Sequence, residues 1–380
     1  MAGLYLHVPF CTQRCVYCDF YFTTTRSDHD SFVDALCTEI ALCRQTYGEP
    51  LETVYLGGGT PSLLASDNVE RILRAVRAHF DVSGVTETTL ELNPEDAGVD
   101  KLRDLRHLGI NRLSIGVQSF VDDDLRFMNR SHSAEDAKRI VPRARKAGFE
   151  DLSVDLIFGL PDQPAEHWQA NLERAARMRV PHISAYGLTI EPETPLSKQI
   201  ELGRVEPASD DTMRDRYQQT MSVLREAGYE HYEVSSFAQP GRRARHNSRY
   251  WQHANYLGLG PSAHSFWWDE DGPRRWSNPP SLHRYEKNLA RNELPREEAD
   301  RLSRLELARE YVMLRLRTAG GLDLERLRDR YGYGLRDERS RALDRLTDAG
   351  YVHQGNEHLR LTDAGRHVCD AVIEALLPGQ

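Results

Sequence analysis

Cysteine is scarce in this chain, six among 380 residues, which excludes a disulfide-held scaffold and fits thiols kept reduced. No apolar run approaches the roughly 20 residues of a membrane-spanning helix, and no charged leader precedes an apolar stretch of signal length. A cytoplasmic location is therefore expected. Basic charge is not in excess either: the net charge is -9, which leaves no electrostatic footprint for nucleic acid. Internal repeats and low-complexity tracts are missing beyond a recurrence of strand-then-helix units. What is present is 39% hydrophobic and 28% charged residues, in a chain long enough for a barrel or doubly wound domain of about 200 to 250 residues with a smaller unit beside it.

Three of the cysteines stand within eight residues, in Cys11-Thr12-Gln13-Arg14-Cys15-Val16-Tyr17-Cys18, directly after an apolar run at residues 4–8. Three thiolates can hold three corners of a [4Fe-4S] cluster and leave its fourth iron open to a non-protein ligand. A structural zinc site completed by His7, or unrelated buried thiols, are the competing readings. Cys37 and Cys43 lie about 240° apart on an expected helix and Cys369 is isolated, so these three read as core fillers. The C-x3-C-x2-C spacing resembles the signature of the radical S-adenosylmethionine (SAM) superfamily. That resemblance implies SAM bound through its amino and carboxylate groups to the open iron.

Strand-like runs at residues 4–8, 53–56, 88–92, 112–116, 152–158 and 182–188 alternate with helical patterns, which predicts parallel strands joined by helices. The expected fold is α/β, a partial (β/α)6 barrel with additional strands and a small α+β winged-helix-like C-terminal domain. Sites in such folds collect at the C-terminal ends of the strands. Each end here carries a distinctive group: the cysteines, then Gly57-Gly58-Gly59-Thr60-Pro61, then Glu91, then Gly116-Val117-Gln118, with Arg130 in the next connection and Asp155 inside the fifth strand. A tight turn would explain the glycines alone, and a satisfied core role would explain any single polar residue.

Taken together, Tyr5, Tyr17, Gly58, Gly59, Thr60, Glu91, Gln118, Arg130 and Asp155 resemble the SAM-contacting positions of the oxygen-independent coproporphyrinogen III oxidase family, over nearly the whole chain. An ammonium, a carboxylate and a ribose diol call for such acceptors and one guanidinium. Two features depart from the oxidases. Phe20 stands where they have a fourth cysteine, and Cys11 lies too near the start for their N-terminal extension. Both departures resemble the HemW heme-chaperone family, whose motif runs Cys-x3-Cys-x2-Cys-x-Phe.

Residues 241–251 combine His246, Tyr250, Trp251 and four arginines, and Trp267, Trp268 and Trp276 follow. Heme needs an axial ligand, cover for two faces and cations for its propionates. His246, Asn247, Tyr250 and Trp251 form an HNxxYW pattern that resembles the heme-binding motif of that chaperone family; His231, His253 and His264 are rival histidines. A glycine-rich loop is expected at 254–260, lining the same pocket. The expected division is 1–240 for the barrel, 241–300 for the heme-binding segment and linker, and 301–380 for the winged-helix-like unit. The resemblance implies a chaperone that binds heme and passes it to acceptors such as respiratory hemoproteins, with an electron donor for the cluster and membrane contact through acceptors only. The alternative is decarboxylation of coproporphyrinogen III, and a third reading is another radical reaction on a tetrapyrrole.

Overall fold

Apolar runs buried on both faces set the sheet, as a parallel sheet covered by helices requires. The computed structural model describes residues 1–25, 29–44, 47–269, 272–297 and 299–379. Six strands run parallel in sequence order: β1 (Ala2–Val8), β2 (Leu51–Gly58), β3 (Glu87–Leu92), β4 (Arg112–Gln118), β5 (Asp151–Phe158) and β6 (His182–Gly187). They begin and end within a few residues of the expected positions. Leu4 pairs with Val54, Leu56 with Leu90, Ile115 with Val154 and Leu156 with Ala185, so apolar side chains stack from strand to strand.

The helices between them present one apolar stripe each. Ser66–His79 buries Val69, Ile72, Leu73 and Val76 and ends in Arg77 and His79, where cations suit the helix dipole. Ala134–Lys146 is opened by a capping box in which Ser133 and Asp136 exchange hydrogen bonds.

Further strands extend the sheet at both ends. They are β7 (Glu230–Glu233), β8 (Ser236–Ala238), β9 (Tyr256–Leu259), β10 (His264–Trp267), β11 (Arg274–Ser277) and β12 (Asp300–Arg301), giving the order β12-β11-β10-β9-β1-β2-β3-β4-β5-β6-β8-β7. Here one expectation is corrected. Residues 256–259 are not a pocket loop but a seventh parallel strand, paired with β1 from Gly3–Tyr256 to Leu6–Leu259. Gly258 disguised it: the chain turns back so closely that a Cβ there would stand 2.1 Å from the His264 carbonyl oxygen.

The C-terminal unit has its own apolar cluster, including Leu307, Tyr311, Leu327, Leu343, Leu359 and Ile373. It carries a small sheet of β13 (Leu322–Asp323), β14 (Val352–Gln354) and β15 (His358–Leu361) in the order β13-β15-β14. Two short helices, Leu335–Glu338 and Ser340–Asp348, meet at Arg339. This unit touches both ends of the long sheet. Val234 donates its N–H to Arg317 and Ala319 donates to Tyr232, beside β7, while Phe266 of β10 packs into the C-terminal cluster. Among the described residues no helix is long and apolar enough to cross a membrane.

Gly258→Ala is expected to cost about 2 kcal/mol or more, because the clash is with backbone that cannot step aside. Urea denaturation of the variant beside wild type measures it.

Candidate functional site

The loop that follows β1 is held by its own backbone and by two later connections. Cys11 donates its N–H to Thr23 (3.0 Å), Val16 to Met128 (3.2 Å), and Leu196 donates back to Val16 (2.9 Å). Side chains add to this: Gln13 donates to the Asn129 carbonyl (2.8 Å) and Asn129 to that of Arg14 (2.7 Å). Cys11, Cys15 and Cys18 thereby open onto one cavity of about 540 Å³. Burial pushes the Cys18 thiol up to about 11 and raises Cys11 as well, so a bound cation is needed for both to be thiolates at neutral pH.

The glycines after β2 are explained by the protein's own atoms. A Cβ on Gly57 would meet the Tyr55 ring at 2.8 Å and Glu91 at 3.0 Å, one on Gly58 the His7 ring at 2.7 Å, and one on Gly59 the Phe10 carbonyl at 2.7 Å. Close approach lets the Gly58 N–H donate to Glu91 (3.1 Å), whose other oxygen accepts from the Tyr55 hydroxyl (2.7 Å). Burial, with the neighbouring Asp155 adding to it, still pushes the Glu91 carboxyl up to about 7. Asp155 is raised by burial too, while Ser114 (3.0 Å) and Ser153 (3.2 Å) donate to it.

Across the cavity, Arg130 reaches the Cys15 sulfur (3.4 Å) and the Gly116 carbonyl (3.1 Å), and also donates to Asn93. Asn93 in turn donates to Thr60 (3.3 Å), whose hydroxyl lies 3.6 Å from the Cys11 sulfur. The Arg130 Nε is buried without a partner. Gln118 ends β4 at φ 61°, a left-handed conformation rare outside glycine, and it turns the chain at the cavity wall.

Of the expected SAM positions, Tyr17, Gly58, Gly59, Thr60, Glu91, Gln118, Arg130 and Asp155 line this one cavity with the three thiols. Tyr5 does not. It lies one layer below, stacked on Tyr55 with 6.0 Å between ring centroids, its hydroxyl 3.2 Å from His7. His7 is likewise committed, bonded to the Tyr21 carbonyl (2.9 Å), and burial lowers it to about 4. Among the described residues no three His, Cys, Asp or Glu side chains converge as a single metal ion needs. Thiolates on separate irons of a cube stand further apart than the ligands of one zinc ion. Sequence reasoning missed Asn93, Ser114 and Tyr186, which also line the cavity. A period-2 reading finds them: residues 91 and 93, 114, 116 and 118, and 184 and 186 face one way.

The HNxxYW segment lies at the opposite end of the strands. Its helix, Arg245–Trp251, plugs the barrel there, with the Arg245 and His246 N–H groups donating to Glu87 at 2.8 and 2.9 Å. The His246 ring is buried and both its nitrogens are bonded, to Thr53 Oγ1 (2.8 Å) and the Tyr250 hydroxyl (2.9 Å), while Tyr55 stacks on it at 4.9 Å. Burial lowers it to about 3, so it is neutral. Asn247, Tyr250 and Trp251 are half-buried. Two of the segment's four arginines are already paired, Arg249 with Glu52 and Arg243 with Glu230. Trp267 and Trp276 pack on Tyr47, whereas Trp268 reaches the surface near His253. Of the rival histidines, His231 stacks on Phe237, His253 is held by Tyr331 and Glu310, and His264 is exposed at the start of β10.

A parallel partial barrel, with three thiols after its first strand and a polar cavity over its strand ends, defines a radical SAM protein. The Radical SAM superfamily model matches residues 5–175 and the HemN C-terminal domain model residues 302–368. The chain is 32% identical to the heme chaperone HemW of Bacillus subtilis over 99% of both proteins. It is 34% identical to the mouse mitochondrial radical S-adenosyl methionine domain-containing protein 1, covering 99% of this chain and 87% of that one. It belongs to the HemW family. The fold matches that of the Escherichia coli coproporphyrinogen III oxidase HemN, a radical SAM enzyme, with a TM-score of 0.85 at 24% identity over all of this chain and 90% of that one.

Two outcomes follow from this geometry. Because the Glu91 pKa is raised on folding, its contribution is fully present below about pH 4 and is lost as pH rises through about 7. The metal-free, ligand-free protein should therefore melt at falling temperature from pH 5 to pH 8, with a shallower slope in Glu91→Gln. His246→Ala, which removes two buried hydrogen bonds and a stacked ring, should cost about 2 to 4 kcal/mol in the same cofactor-free protein; thermal or urea unfolding measures that cost.

Proposed function

We propose that this protein binds heme and transfers it to acceptor hemoproteins, carrying a [4Fe-4S] cluster and SAM at the C-terminal ends of β1 to β6. Family membership carries the reading. Within the structure it is supported by Phe20, 67% exposed at the cavity, which presents an apolar surface where the oxidases have a further thiol. The cytoplasm is the proposed location, with respiratory hemoproteins as the class of acceptor and an electron donor as a further partner.

In this reading Cys11, Cys15 and Cys18 hold the cluster, which when bound supplies the electron for reductive cleavage of SAM. The protein's own groups bind and orient. Glu91 and Asp155 are carboxylates poised to accept from an ammonium and from ribose hydroxyls, and each becomes a better acceptor once a cationic ligand favours its ionised form. Arg130 offers its unpartnered Nε to a carboxylate while its Nη2 stays fixed on Gly116 and Asn93 and its Nη1 on the Cys15 sulfur. Gly58, Gly59 and Thr60 give a backbone edge, and Tyr17 and Gln118 close the sides. Heme is assigned to the opposite end of the barrel, at the corner built by His246, Asn247, Tyr250 and Trp251, where His246 serves as anchor.

The test is anaerobic reconstitution followed by hemin titration, read by absorbance. Wild type should saturate near one heme per chain and should leave coproporphyrinogen III unchanged in the presence of SAM and a reductant. A Cys11→Ser/Cys15→Ser/Cys18→Ser variant should lose its iron and keep its heme binding, since the two sites sit at opposite strand ends. Steady formation of vinyl groups, or failure of wild type to bind heme, would overturn the reading.

A further inference from the structure

Where the helix Arg245–Trp251 ends, residues 252–255 form one wall of a cleft of about 450 Å³. The C-terminal unit forms the other wall with Tyr311, Arg315, Arg326, Arg330 and His358. The three guanidiniums are held by neutral groups. Arg315 donates to the Trp251 carbonyl (3.3 Å), Arg330 lies 3.9 Å over the Trp268 indole, and Arg326 lies 5.6 Å over the Tyr311 ring. Among the described residues none of the three has a carboxylate within ion-pair distance, whereas the neighbouring Arg317 and Arg328 are paired with Asp370 and Asp329.

The two carboxylates at the cleft have other tasks. Glu49 faces the Met1 amino group (3.2 Å) and accepts from Asn255 (2.8 Å), and Asp323 caps the helix Leu324–Tyr331 by accepting from the Arg326 N–H (2.8 Å). A chain of net charge -9 thus keeps three cationic side chains around one hollow with none of them, among the described residues, in an ion pair. Aromatic faces hold two of those side chains in place, so little side-chain entropy is left to lose when an anion arrives.

We propose that this cleft takes the propionate carboxylates of a tetrapyrrole. The inference rests on the heme-binding reading above and assigns its charged end. The lining is mainly polar and charged, which suits the carboxylate-bearing edge of the macrocycle and not its apolar face. The position is right as well: the cleft begins at the residue after Trp251, and Arg315 is fixed on the Trp251 carbonyl. Paired Arg243 and Arg249 are unavailable for the same task.

The experiment compares equilibrium binding of hemin with that of its dimethyl ester, which keeps the iron and the ring and lacks both charges. Full-chain wild type is set beside Arg326→Gln/Arg330→Gln, two exposed positions, and beside the control Arg328→Gln/Arg341→Gln, which makes the same charge change outside the cleft. Wild type and control should bind hemin at least tenfold more tightly than the ester. The cleft variant should bind hemin no better than the ester, with the ester's affinity unchanged, and salt at 0.5 M should narrow the wild-type gap. If hemin and ester bind wild type equally, or if the cleft variant matches the control, the subsite is overturned and heme binding stands. If inorganic phosphate fills the cleft without weakening hemin, the cleft is a general anion site and the proposal falls. If wild type binds neither hemin nor ester, the heme-binding reading falls and the subsite with it.

Discussion

Burying the Glu91 carboxylate is the constraint around which this barrel is arranged. A carboxylate at an inward-facing strand end is costly unless donors surround it. Tyr55 supplies one donor and the Gly58 N–H another, and the second is reached only because Gly57 and Gly58 lack side chains. Gly58 and the next residue, Gly59, likewise let the loop lie against His7 and Phe10, and so against the segment that carries the thiols. One electrostatic requirement therefore fixes the turn after β2, and that turn helps fix the cysteine loop after β1.

Tyr55 carries the arrangement through the barrel. Its hydroxyl serves Glu91 in the cavity, while its ring stacks on His246 at the other end and on Tyr5 beside it. His246 in turn is pinned by Thr53 of the same strand and by Tyr250 of its own helix. The plug formed by the HNxxYW segment and the floor of the cavity are thus two sides of one aromatic layer. A buried neutral imidazole with both nitrogens bonded is rigid, and rigidity is what an anchor for the helix Arg245–Trp251 requires.

Local signals were legible in the sequence and long-range ones were not. The six central strands announced themselves because a strand buried on both faces must be apolar throughout, and the thiols because their spacing is itself local. Asp155 stood out as an acid inside an apolar run, which is a statement about cost and needs no partner to be known, and Glu91 as a carboxylate at a strand end. The strand β9 was hidden because Gly258 reads as a loop signal unless the His264 carbonyl is known to cross above it. The fate of His246 was hidden for a related reason: its composition fits a ligand, while its partners, Thr53 and Tyr55, come from nearly 200 residues earlier. Trp267 and Trp276 likewise look available until Tyr47 is placed between them.

Separation of the two ends bears on the chemistry. From Thr53, which holds His246, to Gly58 at the cavity is five residues of strand, about 16 Å at roughly 3.3 Å per residue. Hydrogen abstraction needs the reacting atoms in contact, near 3 to 3.5 Å. A heme seated at the corner beyond Trp251, across the plug and its aromatic layer, is out of reach of any radical formed over the strand ends. If heme sits at the proposed corner and SAM over the strand ends, the protein can carry heme without modifying it. That is the arrangement a carrier needs, and an oxidase of the same fold must instead bring its substrate to the thiol end.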